Sequence, residues 1–238
     1  MNSMSEKTMS EKILIIDTST EACSVALLHN DNVISSFDVT PRSHTKMVLP
    51  MVDTLLKQAQ LKVNDLDAIA WGRGPGSFTG VRIGTGIMQG LALGAEKPVI
   101  ALSTLATMAQ EAIDKHQAEY VMAGIDARMG EVYWGIYRNE NGLATLVGEE
   151  QVLNPEVLTQ LTYPEHSFVA VGTAWQAYPE LVKMAKITVL ESVLYPNAEA
   201  MAPLAKQAWK SHQAVDVEEA APVYLRDTVT WKKLPGRE

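Results

Sequence analysis

The chain is 238 residues long, 47% hydrophobic and 20% charged, with a formal net charge of −8. Such a composition excludes a disordered or fibrous protein, and the length suffices for one large α/β domain or two small ones around a buried core. The acidic balance also disfavours direct binding of a phosphate backbone, which Lys and Arg drive by releasing counterions, so any RNA contact is expected to need a basic partner.

Residues 1–11 are polar and lack the apolar stretch of a secretory signal, so they read as a disordered tail. The run Ile13-Leu14-Ile15-Ile16 then ends at Asp17-Thr18-Ser19-Thr20-Glu21, and apolar character resumes in Ser24-Val25-Ala26-Leu27-Leu28 before the turn His29-Asn30-Asp31-Asn32. That order predicts strand, polar turn, strand, turn, and a third strand through Ile34 and Phe37. A helix is predicted from about His44 to Gln60, because Val48, Met51, Val52, Leu55, Leu56 and Ala59 recur at helical spacing, with Ser43 as its cap and Pro50 marking a first turn or kink. A short strand at Ala68–Trp71, a glycine-rich loop, a second helix through Leu93 and a strand at Pro98–Ala101 complete the first half. Cys23, the lone cysteine, lies in an apolar strand; it excludes an intramolecular disulfide and reads as a small core residue in a reducing, cytoplasmic setting.

The opening recurs about 109 residues later without a gap. Ile16-Asp17 matches Ile125-Asp126, Ala26-Leu27-Leu28 faces Gly135-Ile136-Tyr137, and Asn30 and Asn32 match Asn139 and Asn141. A helix at Pro155–Leu161, a strand at Phe168–Val171 and helices near Trp175–Met184 and Asn197–Ser211 follow. Two similar units, each opening with antiparallel strands and continuing with alternating helix and strand, predict a duplicated actin-like (hexokinase-like, ASKHA) α/β fold. The expected division is residues 12–102 and 103–226, with a tail at 227–238. No window reaches the roughly 20 apolar residues of a membrane-spanning helix, so no membrane association is expected.

The densest feature is Trp71-Gly72-Arg73-Gly74-Pro75-Gly76-Ser77-Phe78-Thr79-Gly80-Val81-Arg82-Ile83-Gly84, which follows a strand and opens a helix. Backbone N–H groups at such a place attract anions, and glycine allows close approach. No Lys-Ser or Lys-Thr follows the glycines, so this is not a Walker A loop. Two readings of Asp17, Thr18, Ser19, Gly74 and Gly76 stay open: a nucleotide-phosphate site in a cleft shared with Asp126, or an Asx turn closing a hairpin. On a helical wheel Arg82, Thr85 and Gln89 form one narrow polar arc; Gly80, Ile83, Gly84, Ile87, Met88, Gly90, Leu91 and Gly94 fill the rest. So many helical glycines imply another backbone close by, either this domain's own or that of another subunit. His44 reads as a polar residue at a helix start rather than a metal ligand, and Arg128, Glu131 and Tyr133 as a surface turn.

The run from Gly74 to Gly84 resembles the signature of the TsaB (YeaZ) family, as do Ile16-Asp17-Thr18-Ser19, Arg42-Ser43-His44, Asp126-Ala127-Arg128 and Tyr224-Leu225-Arg226. The resemblance implies a non-catalytic subunit of the machinery that makes threonylcarbamoyladenosine next to the anticodon of tRNA. It implies pairing with the transferase TsaD through the first two helices, with the ATPase TsaE joining. Met47, Val48, Met51, Gly80, Ile83, Gly84, Ile87, Met88 and Leu91 are the expected contacts, and a homodimer is expected when the chain is alone. The metal-binding residues of TsaD fall at Thr104, Met108 and Asn197, which cannot replace charged and imidazole ligands. No cofactor of its own is therefore expected; ATP and a divalent metal belong to the partner complex. The alternative is an actin-fold ATPase or metallopeptidase-like hydrolase with its own cleft activity.

Overall fold

A computed structural model describes residues 11–226; of the expected tails at 1–11 and 227–238, all but Glu11 lie outside the described residues, and Glu11 sits against Lys206 and Lys210 of the last helix. Two five-stranded sheets form the frame. The first contains β1 (Lys12–Asp17), β2 (Ala22–His29), β3 (Asn32–Val39), β4 (Ala68–Gly74) and β5 (Val99–Ser103), in the order β3-β2-β1-β4-β5. The second contains β6 (Tyr120–Asp126), β7 (Val132–Glu140), β8 (Leu143–Leu153), β9 (Ser167–Val171) and β10 (Lys186–Val189), in the order β10-β9-β6-β7-β8. Each sheet thus has an antiparallel meander followed by two parallel strands, and the chain has the duplicated actin-like plan.

The helices are α1 (His44–Gln58), α2 (Phe78–Ala95), α3 (Thr104–His116), α4 (Pro155–Gln160), α5 (Ala174–Ala177) and α6 (Ala198–Lys210). β1 is a continuous apolar run because both its faces are covered. Leu14 and Ile16 pack with Val48, Met51, Leu55 and Met88 of α1 and α2. Ile13 and Ile15 turn the other way, onto Met201, Ala202 and Ala205 of α6. The alanine face of α6 meets Ala26, Ala68 and Ala70, where small residues on both sides allow close approach. The last helix therefore returns to the first sheet, so a division at residue 102 separates the two sheets but not their helices.

Several local expectations need correction. Ser43 occupies the cap position of α1, but its hydroxyl makes no capping bond; its carbonyl accepts from Lys46 and Met47 instead. The helix expected at Trp175–Met184 is split into α5 and a 3-10 turn at Pro179–Lys183, because Pro179 removes a donor and holds Tyr178 out of the helical region. α3, β8 and β10 are additional to the expected elements. The gap-free repeat also slips: Asp17 pairs with Ser24, whereas Asp126 pairs with Val132, one residue sooner. The two tight turns sit at Asn30-Asp31 and Asn141-Gly142, so Asn30 and Asn139 are not equivalent. The duplication rests on the matching sheet order.

Candidate functional site

The Asp17 turn and the glycine loop are drawn together at the ends of β1 and β4, and they close on each other. Asp17 is buried, and its Oδ1 accepts from the Ser19 amide at 2.9 Å and the Ser19 hydroxyl at 2.7 Å. Among the described residues its Oδ2 has no hydrogen-bond partner, and burial pushes the carboxyl up to about 6. The Thr18 hydroxyl donates to the Gly80 carbonyl at 2.7 Å, and the Ser77 amide donates to the Ser19 carbonyl at 2.7 Å. A Cβ on Gly76 would overlap Ser19, and one on Gly80 would overlap the Thr18 carbonyl; Gly72 and Gly84 face the Asp17 and Thr18 side chains in the same way. Glycines four residues apart thus form a seat for the turn. The backbone whose close approach they permit is this domain's own.

This geometry bears on the cleft reading of Asp17, Thr18, Ser19, Gly74 and Gly76. All five come together, but the Ser77 amide, which would face a phosphate, is spent on Ser19. Gly74 is covered by the returning C-terminal segment, where the Val223 amide donates to the Arg73 carbonyl at 2.8 Å. The cleft between the halves, of about 290 Å³, opens beside this seat and is lined by Ser19, Gly76, Phe78, Asp126, Arg128 and Arg226 among others. Its charges are paired. Arg128 bridges Asp126 at 3.0 Å and Glu21 at 2.9 Å, while Asp126 also accepts from the Tyr178 hydroxyl at 3.1 Å. Arg226 binds Glu131 and donates to the Ala127 and Arg128 carbonyls, fixing the surface turn expected there. His44, buried at the start of α1, has its Nε2 3.1 Å from the Ala22 carbonyl.

The three positions matched to the metal ligands of TsaD have structural partners. Thr104 donates to Ser19 Oγ at 3.0 Å, Met108 is core, and Asn197 caps α6 by accepting from the Glu199 amide at 3.0 Å. Among the described residues, no group of three or more His, Cys, Asp or Glu side chains is placed to hold a metal ion.

The nine residues expected at a partner interface divide into three groups. Val48, Met51 and Met88 are core residues, and Gly80 and Gly84 belong to the seat. Met47, Ile83, Ile87 and Leu91 are half-buried at the surface of α1 and α2. The solvent face of this pair is completed by Gly90 and Gly94, which the wheel placed off its polar arc, and by Leu49, Phe78, Gly86 and Leu93, which it did not include; among the described residues, a Cβ added to any of the three glycines would meet nothing. The expected polar arc of α2 faces the returning C-terminal segment, with Thr85 buried, Gln89 half-buried and Arg82 exposed. Thr85 is buried and bonds to the Val81 carbonyl, Gln89 donates to the Ala220 carbonyl at 3.4 Å, and Arg82 donates to the Tyr224 hydroxyl at 3.0 Å. The Arg82 guanidinium also lies 3.6 Å over the Phe78 ring, which packs on Tyr224 with centroids 5.5 Å apart.

Residues 33–234 match the family model described as TsaD: tRNA N6-adenosine threonylcarbamoyltransferase. The chain is 52% identical over 230 residues to the tRNA threonylcarbamoyladenosine biosynthesis protein TsaB of Escherichia coli K12, covering 95% of this chain and 100% of that one. It is 46% identical to the protein of the same name from Haemophilus influenzae, covering 95% and 98%. Among solved structures it is similar to YeaZ from Pseudomonas aeruginosa, with a TM-score of 0.83 and 45% identity over 90% of this chain and 100% of that one. Among the described residues, no helix is long and apolar enough to cross a membrane.

Proposed function

The chain belongs to the TsaB family, and on that premise we propose that it acts in the synthesis of threonylcarbamoyladenosine in tRNA as a non-catalytic subunit that docks on and activates a TsaD-type transferase. The observation that carries this reading is the outward face of α1 and α2. Half-buried Met47, Ile83, Ile87 and Leu91 lie beside exposed Leu49 and Leu93, and three glycines leave open space for close approach by another helix. The seat supports the same reading from the other side, since the Asp17 turn and the glycine loop use their polar groups on one another.

In this reading TsaE joins the pair, the protein needs no cofactor of its own, and ATP and a divalent metal serve the partner complex. RNA is met through the complex, because the chain carries a net charge of −8. Free in the cytoplasm, the same apolar face closes a homodimer. The test is threonylcarbamoyl incorporation into tRNA by a reconstituted mixture of the other components, with and without this chain. Strict dependence supports the role. Equal incorporation without the chain removes it and returns attention to the cleft.

A further inference from the structure

One buried carboxylate is shared by residues of both sheets. Glu150 belongs to β8, where the ladder with β7 is irregular. Trp134 pairs with Gln151 and Ile136 with Val147, so Gly135 stands opposite three residues, Gly148, Glu149 and Glu150. Gly148 has φ +84, a left-handed turn of the backbone that suits the extra residues. The bulge aims the Glu150 side chain away from solvent, leaving it 7% exposed, while its neighbour Glu149 stays exposed.

Glu150 gathers groups from both sheets. Its Oε1 accepts from the Tyr137 hydroxyl of β7 at 2.5 Å and from the Ser103 hydroxyl at the end of β5. Its Oε2 lies 3.5 Å from the Arg73 guanidinium of β4. Ser103 is the point where the chain leaves the first sheet for the second, and its hydroxyl also caps α3 by accepting from the Ala106 amide at 3.2 Å. The next residue, Thr104, is tied back to Ser19 in the first half. Both residues at the crossing are therefore anchored, one through Glu150 and one through the Asp17 turn. At the cleft, Arg128 also ties the second half to Glu21 of the first, but Glu21 is 37% exposed, so water screens this pair more.

We propose that Glu150 is an interdomain latch: its buried carboxylate, held jointly by Ser103, Tyr137 and Arg73, makes the two halves one rigid body, and its loss frees hinge motion at Ser103–Thr104. A charged acceptor in a dry site binds its donors more strongly than a surface pair does, and a donor left without it is stranded. The relative placement of the halves is thereby fixed without any ligand in the cleft. The Glu150–Arg73 contact also steadies the strand that runs directly into the glycine loop and α2.

The test is the distribution of distances between spin labels on the two halves, placed at Gln58→Cys on α1 and Gln160→Cys on α4. Both positions are exposed, and Cys23 is buried away from the reagent. One narrow distribution is expected in the otherwise natural chain, and one about twofold wider, or with a second peak, in Glu150→Ala. Tyr137→Phe, which removes a single hydroxyl and keeps the ring, should widen it by a smaller amount. Arg138→Ala, which breaks an exposed pair within β7, should leave it unchanged. A broad distribution before any change at Glu150, or a folded Glu150→Ala protein as narrow as its parent, overturns the latch. Should Glu150→Ala fail to fold, Tyr137→Phe decides, and an unchanged width there overturns the proposal equally. None of these readouts involves tRNA modification, so they stand apart from the proposed function.

Discussion

The Thr18 hydroxyl donates to the carbonyl of Gly80 across 62 residues of sequence, while the Thr18 carbonyl lies against the Gly80 Cα. This reciprocal contact locks the first turn of α2 onto the end of β1. It divides the glycines of the helix into two classes, those that seat the Asp17 turn and those that face outward.

The two classes should respond oppositely to the same substitution. Gly80→Ala forces a Cβ into backbone and is expected to cost about 1–3 kcal/mol. Gly90→Ala meets open space and should be neutral or stabilise by up to about 1 kcal/mol through helix propensity. Urea denaturation of both variants checks this; equal effects would count against the seat.

On the outward face, Ile87→Glu and Leu93→Glu should weaken binding to a TsaD-type partner by tenfold or more, about 1.4 kcal/mol, with little change in thermal stability. Titration calorimetry with the purified partner measures it. Binding unchanged by both variants would move the interface elsewhere.

The Asp17 carboxyl has a folded pKa of about 6 against an ordinary value of 3.8, raised by burial and offset in part by Ser19. The folded state then holds its proton more tightly than the unfolded state. The stability this supplies is fully present below pH about 4 and is lost as pH rises to about 6, at about 1.4 kcal/mol per pH unit. Asp17→Asn keeps an acceptor for Ser19 without the charge. Its stability relative to the natural chain should therefore climb between pH 4 and 6 and level off above. Parallel urea titrations at about pH 4.5 and 7.5 test the sign; a difference that does not grow with pH would refute it.

Arg226→Ala should loosen the C-terminal segment that covers α2 and the cleft mouth. The change leaves the Ala127 and Arg128 carbonyls without their donor and breaks the pair with Glu131, at a cost of about 1–3 kcal/mol. Limited proteolysis should cut the segment near Tyr224 faster in the variant. An unchanged rate would mean that the Val223–Arg73 and Tyr224–Arg82 contacts hold it alone.

What the sequence determined by itself was the local and periodic part. Ile13–Ile16 announced a strand, the spacing from Val48 to Leu56 announced α1, and the recurrence of Ile-Asp announced a second unit, because each is written in residues close together along the chain. The tertiary structure decided what those elements touch. α2 carries Arg82, Thr85 and Gln89 on one arc, and a wheel assigns such an arc to water. The returning segment from Ala220 to Tyr224 supplies acceptors and a ring that engage it, while Gly80 and Gly84 turn onto Thr18 and only Gly86, Gly90 and Gly94 face out. Glu150 was illegible for the same reason. A glutamate in a polar, exposed-looking strand is buried only because a bulge turns it toward Ser103 and Arg73, 47 and 77 residues away, and no local pattern encodes partners at that separation.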